Sequence, residues 1–148
     1  ILSFGNIMIF ETVYKIRFGD IDQAQVVYYP RFFNYYHTAL EDFFGNCHSQ
    51  TYPDLIVKQK IGFPIVNISA NFYIPFSYGD TLRIQLAVIH IGNKSVKIKY
   101  KAFKNDLKDV AAEAIITTAI IDLVRFKGID IPKDLRIFLE KYHAEAGF

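Results

Sequence analysis

Between residues 10 and 18, apolar and polar positions alternate. Phe10, Thr12, Tyr14, Ile16 and Phe18 fall on one side, and Val13, Lys15 and Arg17 are among those on the other. A period of two predicts a half-buried strand, and Gly19-Asp20 ends it. From residue 30 the period changes. Phe33, Tyr36, Leu40, Phe43 and Phe44 recur at spacings of three and four, with Phe32 and Tyr35 widening the stripe. That spacing predicts a helix over 30–46, so aromatic that other elements must wrap it. Pro30 suits the first helical position, where its missing N–H has no intrahelical partner to lose. Gly45-Asn46 is the expected stop.

Residues 47–62 have no clear period, although Tyr52-Pro53-Asp54-Leu55 predicts a short helix that breaks before Gly62. From Pro64 the period returns to two. Val66, Ile68, Ala70, Phe72, Ile74 and Phe76 face one way; Asn67, Ser69, Asn71 and Tyr73 face the other. Gly79-Asp80 turns the chain into a strand marked by Leu82, Ile84, Leu86 and Val88. Gly92-Asn93 predicts a tight hairpin. Beyond it Val96, Ile98, Tyr100 and Ala102 oppose Lys97, Lys99 and Lys101 as far as a turn at Asn105-Asp106. Residues 110–124 are β-rich and almost uncharged, as a central strand covered on both faces would be. Pro132 opens a short amphipathic helix with Leu135, Phe138 and Leu139 on one side. The order is strand, helix, four strands joined by tight turns, and a closing helix. Sequential hairpins pair antiparallel, so the expected class is α+β, with a sheet of about five strands wrapped around a long central helix.

Composition narrows the picture. The 148 residues are 51% hydrophobic, which suits one domain spanning 1–148, with residues 1–7 a candidate extension ahead of a natural start at Met8. The 14 Phe and 10 Tyr exceed what one small core needs and point to an oligomer interface or an apolar ligand tunnel. A net charge of +2 argues against nucleic acid as the partner. No stretch reaches the roughly 20 apolar residues of a membrane-spanning helix. One Cys rules out an intrachain disulfide and suits a reducing, cytoplasmic location.

The chemistry concentrates between Phe18 and Phe33. Asp20 and Asp22 stand two residues apart, just before the helix start at Pro30. Free backbone donors are expected at Tyr29, Arg31 and Phe32, where the helix also carries partial positive charge. A carboxylate beside amide donors suits attack on an acyl carbon: base or nucleophile on one side, oxyanion hole on the other. On spacing alone, a turn-capping role for Asp22 is the commoner one. Asp20 lacks a third acidic neighbour in sequence, so no metal site is expected and loop shaping is its reading. His37 falls about two helical turns after Pro30 and could face the same mouth. Cys47-His48 reads as structural. Lys94-Ser95 lacks the glycine spacing of a phosphate loop and reads as a hairpin tip. No Gly-x-Ser-x-Gly elbow is present.

Asp22, Ala24, Val26, Val27, Tyr28, Tyr29 and Pro30 resemble the signature of the hot-dog fold acyl-CoA thioesterases, in the 4-hydroxybenzoyl-CoA thioesterase-like branch. Gly62-Phe-Pro-Ile-Val66, Phe76-Ser-Tyr-Gly-Asp80 and Lys94-Ser95 extend the likeness over roughly residues 10 to 125. The resemblance implies thioester hydrolysis without metal or redox cofactor. Asp22 would be nucleophile or general base, and the Tyr29 backbone N–H would polarise the carbonyl. It implies an acyl pocket shaped by Gln25, Val26, Tyr28, Phe33, His37, Phe63 and Pro64, and CoA contacts from Lys94 and Ser95. Where the family clusters arginines near that hairpin, this chain has Gly92 and Asn93, so Arg31, Lys58, Lys60 or Arg125 are alternative CoA contacts. His37 replaces an acid expected in hydroxybenzoyl-specific relatives, and Gln25 replaces the usual glycine. Another branch keeps its catalytic acid on the central helix, but Glu41 and Asp42 lie near the far end of this one, over two turns beyond Pro30, and are expected to face solvent. The resemblance also implies sites between subunits, in a homodimer or, as the larger alternative, a homotetramer. The rival readings are a non-catalytic acyl or lipid binder, and a hydroxyacyl-thioester dehydratase with His37 beside Asp22.

Overall fold

The aromatic stripe folds as α1 (Arg31–Cys47), a helix of 17 residues around which the other elements are arranged. It is seen in a computed structural model that describes residues 1–4, 7–144 and 147–148. Phe43, at the middle of its buried face, lies with ring centroids 5.5, 4.7 and 4.8 Å from Phe10, Phe138 and Tyr142. Pro30 precedes the helix as its cap instead of occupying its first turn. The helix also runs through the expected stop to Cys47, and extended His48 ends it. Neither Gly45 nor Asn46 adopts a positive φ. Asn46 instead donates its side-chain amide to the Asp42 carbonyl, 2.7 Å away, and Phe44 in the last turn still packs on Phe138.

The strands are β1 (Leu2–Phe4), β2 (Ile7–Lys15), β3 (Ile61–Gly62), β4 (Ile65–Phe72), β5 (Thr81–Ile91), β6 (Ser95–Lys104), β7 (Val110–Ala119), β8 (Ile121–Asp122) and β9 (Lys127–Gly128), and α2 (Lys133–Lys141) follows. The main sheet has the order β1-β2-β5-β6-β7-β4, with antiparallel neighbours throughout. The helix α1 covers one of its faces, the arrangement of a hot-dog fold. A second small sheet, β3-β8-β9, was not legible in the alternation. It arises because the long apolar run of 110–124 breaks at Ile120, whose N–H donates to the Lys94 carbonyl and whose carbonyl accepts from Ile129. The segment 1–7, read as a candidate extension, contributes β1, which pairs Leu2 with Ile9; its Gly5 and Asn6 lie outside the described residues.

Two strand expectations change. The first strand stops at Lys15, not Phe18: Ile16 donates to the Asp80 carbonyl and accepts from Gly79, which turns the chain away. Phe18 then falls in a 3₁₀ turn over Phe18–Asp20, 81% exposed. The alternation of β4 holds from Ile68 to Phe72, whose ring stacks on Phe32 with centroids 5.2 Å apart, but a register shift between Ile65 and Asn67 puts Ile65, not the expected Val66, at the same cavity as Ile68. Yet Ile65, Val66, Ile68 and Phe72 are exposed on β4, one of the two edge strands of the sheet.

The turn after β4 is tightly made. Gly79 has φ +86°, a left-handed conformation that favours glycine. Burial pushes the Asp80 carboxyl up, but hydrogen bonds from the Ser77 N–H, Asn105 and Lys104 outweigh it and hold it below the usual carboxylate range. Phe76, fully buried, anchors this turn to the core. Among the described residues no helix is long and apolar enough to cross a membrane.

Candidate active site

Residues 20–28 form a miniature antiparallel hairpin. Tyr28 N–H donates to the Asp20 carbonyl at 2.9 Å and Asp22 N–H to the Val26 carbonyl at 3.0 Å, which brackets an Ile21–Val27 bridge. Val27 N–H donates to the Phe76 carbonyl at 2.9 Å and ties the hairpin to the turn after β4. At the tip, Asp22 Oδ1 accepts from the Ala24 N–H at 2.8 Å. The capping role expected from spacing alone is therefore real. It occupies one carboxylate oxygen; Oδ2 accepts from none of the described residues.

Gln25 sits at φ +65°, the reason a glycine suits this turn. A non-glycine residue in the left-handed region costs roughly 1–2 kcal/mol, and glycine's freedom in the unfolded chain offsets part of the gain from removing it. Gln25→Gly is thus expected to raise the unfolding free energy in urea by about 1 kcal/mol. No change, or a loss, would show that the Gln25 side chain makes compensating contacts.

The expected cluster of three amide donors reduces to one. Arg31 N–H donates to the Tyr28 carbonyl, Phe32 N–H to Tyr29, and Phe33 N–H to Pro30. These turn bonds satisfy the amides of the helix start before any ligand arrives. Tyr29 N–H donates to none of the described residues. Its side chain, 60% exposed, stacks edge-on against Tyr28 and lines a cavity as well.

Two cavities flank the first turns of α1. The larger, about 240 Å³, is lined by Val26, Val27, Tyr29, Phe32 and residues 72–76. The smaller, about 70 Å³, is lined by residues including Phe33, His37, Tyr52, Phe63, Tyr100 and Thr118. The expected pocket residues thus divide. Val26 lies in the first cavity with Tyr29; Phe33, His37 and Phe63 lie in the second. Gln25, Tyr28 and Pro64 line neither, and the Pro64 carbonyl accepts from Ala119. Residues 72–76, Tyr52, Tyr100 and Thr118 were not anticipated, because they approach from strands and a loop distant in sequence. Only the Phe76-to-Asp80 motif hinted at the first group.

His37 is half-exposed, 3.5 Å from Glu41 on the next turn and edge-on to the Tyr52 ring. Burial and then the Glu41 charge push the Tyr52 phenol up to about 12, so it stays a hydrogen-bond donor at neutral pH. Glu41 is exposed as expected, but Asp42 is not free: it is half-buried and accepts the Tyr14 hydroxyl. Asp20 accepts from the Tyr35 hydroxyl and, at 3.1 Å, from the Arg17 N–H, which is the loop-shaping role expected of it. Lys94 and Ser95 sit at the β5–β6 hairpin, where Gly92 N–H donates to the Ser95 carbonyl and Arg136 holds the Gly92 carbonyl. The Asp22 hairpin lies beyond the other end of β5, where Lys15 pairs with Thr81. At about 3.3 Å per residue the 11 residues of β5 separate the two by roughly 30 Å. Cys47 is half-buried on the last turn of α1.

Known proteins resemble this chain in sequence and fold. Over residues 16–139 the chain matches the thioesterase-like superfamily. It is 30% identical to a 1,4-dihydroxy-2-naphthoyl-CoA hydrolase of Prochlorococcus marinus, over 85% of each chain. It is 29% identical to a 4-hydroxybenzoyl-CoA thioesterase of a Pseudomonas species, over 81% of this chain and 89% of that one. A solved gentisyl-coenzyme A thioesterase superposes with a TM-score of 0.76 at 25% identity, covering 85% of this chain and 98% of the other. A Synechocystis 1,4-dihydroxy-2-naphthoyl-CoA thioesterase shares the fold with a TM-score of 0.81 at 22% identity, over 89% and 96% of the two chains.

Proposed function

This chain belongs to the thioesterase-like superfamily, and from that premise we propose that it is an acyl-CoA thioesterase in which Asp22 and the Tyr29 N–H do the chemistry. Water cleaves the thioester to a carboxylic acid and free CoA. The observation that carries the site assignment is the single unspent donor, the Tyr29 N–H, in a helix start whose next three amides are all bonded. The thioester oxygen accepts from that N–H, and charge developing on it in the transition state strengthens the bond. Asp22 acts through its unbonded oxygen. As nucleophile it forms an acyl anhydride, expels the CoA thiolate, and is released by water. As general base it takes a proton from the attacking water.

The larger cavity, lined in part by the Tyr29 ring, receives the substrate atoms next to the thioester. The smaller one, with the His37 ring, the Tyr52 phenol and Thr118 at its walls, suits an acyl group that carries a polar substituent, as the names of the aryl-CoA relatives suggest. The open edge of β4 points to a homodimer. Two-fold antiparallel pairing of β4 with its counterpart joins the Phe72 end of one copy to the Ile65 end of the other. The β5–β6 hairpin lies toward that Ile65 end, through the Ser95–Ala119 and Thr118–Ile65 pairs. Lys94 and Ser95 of a second copy, not of the same one, would then reach the CoA phosphates. A homotetramer would add contacts beyond this pairing. A cytoplasmic location suits the CoA substrate and the single free cysteine.

The test is thiol release from a panel of aliphatic, aryl and hydroxyaryl CoA thioesters. The parent protein is expected to favour hydroxyaryl groups, and His37→Ala to narrow that preference about tenfold, the effect of losing one hydrogen bond to a polar group. Cleavage of no member by the parent would favour a non-catalytic acyl binder.

A further inference from the structure

One contact beside the site has no place in that mechanism. Tyr35, on the second turn of α1, lines neither cavity and donates its hydroxyl to Asp20 Oδ2. The same carboxylate oxygen accepts the Arg17 N–H, closing the 3₁₀ turn that enters the hairpin. The Asp20 carbonyl accepts the Tyr28 N–H at 2.9 Å. Asp22 stands two residues after Asp20, and the unspent Tyr29 amide is the next peptide after Tyr28. Tyr35 is held in turn by the Tyr14 ring, 5.7 Å away, whose hydroxyl is bonded to Asp42 further along α1.

We propose that Tyr35 is a positioning residue for thioester hydrolysis: through Asp20 it locks the 20–28 hairpin to α1 and sets the gap between the Asp22 carboxylate and the Tyr29 N–H. The inference rests on the site assignment made above. The two reacting groups sit on opposite sides of a junction. Asp22 belongs to the hairpin, and the Tyr29 amide belongs to the helix entry. Two hydrogen bonds cross that junction among the described residues: Arg31 N–H to the Tyr28 carbonyl at 2.9 Å, and Tyr35 to Asp20. Val27 N–H reaches Phe76, which packs on Phe32 of α1, and so anchors the second strand of the hairpin. The Tyr35–Asp20 bond anchors the first strand, which carries Asp22. Burial, then the hydrogen bond to Asp20, raises the Tyr35 pKa, so the phenol remains a donor throughout the assay range. A half-buried carboxylate without that donor would draw in water and let the 3₁₀ turn shift. Misplacement on the order of 1 Å costs up to about 100-fold in rate.

Tyr35→Phe and Asp20→Ala are compared with the parent protein on benzoyl-CoA, with thermal unfolding followed in parallel. Both variants are expected to lose about tenfold or more in kcat, with KM within about twofold. A residue that served stability alone would lower the unfolding midpoint but leave kcat, referred to the folded fraction, at the parent value. The double variant is expected to be no slower than the slower single one, because both changes cut the same bond. Hydrogen exchange on the folded proteins gives a reading that needs no turnover: Tyr35→Phe speeds exchange at the Tyr28 and Asp22 amides and leaves the β5 amides unchanged. Parent-like kcat, or unchanged exchange across 20–28, would overturn the proposal. Asp22→Asn separates the failures. If it stays active, the site assignment itself falls; if it is inactive while Tyr35→Phe matches the parent, only the positioning role falls.

Discussion

Asp22→Asn lowers kcat for acyl-CoA hydrolysis by about a thousandfold or more, with KM changed only a few-fold. The substitution is informative because of what it preserves. Asp22 Oδ1 accepts the Ala24 N–H at 2.8 Å, and an asparagine carbonyl oxygen accepts the same bond. The turn stays capped and the hairpin register stays closed by the Asp22 N–H on Val26. Only the second oxygen changes, from a charged nucleophile or base to a neutral amide that is neither. Asp22→Ala is the complementary variant. It loses the chemistry and the cap together and costs about 1 kcal/mol in stability. Steady-state kinetics beside urea unfolding separates the two effects. Turnover by Asp22→Asn at the parent rate would remove Asp22 from the mechanism.

The second large effect falls on a group that no side-chain substitution reaches. Replacing the peptide N–H of Tyr29 with an ester oxygen is expected to lower kcat by about 100- to 1000-fold, the usual loss for one oxyanion donor. Tyr29→Phe, which keeps the donor, should stay close to the parent. An ester at Tyr29 also weakens the Tyr28 carbonyl as acceptor for the Arg31 N–H, which lies 2.9 Å away. The same ester placed at Arg31 removes that bond while sparing the Tyr29 donor, so it isolates the side effect. Equal losses from the two esters would mean that the helix entry, not the donor, matters. A large loss confined to Tyr29 is the expected outcome.

The single donor also shows where sequence reasoning stopped short. Pro30 announces a helix start, and a helix start in isolation leaves several amides free. Whether those amides remain free depends on the turn that leads in. Here the chain enters through successive tight turns, with the carbonyls of Tyr28, Tyr29 and Pro30 accepting from the three residues that follow. No residue type encodes that outcome. The Gly45-Asn46 stop failed for a related reason. Turn-forming residues end a helix when nothing beyond them needs it, whereas Phe44 and Cys47 are held by the core and by α2.

What the amino-acid order determined by itself was local or periodic. The aromatic stripe of α1, the alternation of β4 to β6, the amphipathic α2 and the Asp22-to-Pro30 segment each follow from neighbouring residues, because side-chain direction repeats every 3.6 or 2 positions. The tertiary structure decided what depends on contacts between distant segments. It split the expected acyl pocket into two cavities, since Phe32 stacks on Phe72 in the lining of one while Phe33 and Phe63 line the other. It tied Asp20 to Tyr35 and Asp42 to Tyr14, pairings 15 and 28 residues apart. It set Lys94 at the far end of β5 from Asp22 and left β4 as an open edge. Periodicity reports which face a residue occupies, but the partner that covers this face is chosen by packing, and only the folded chain brings such partners together.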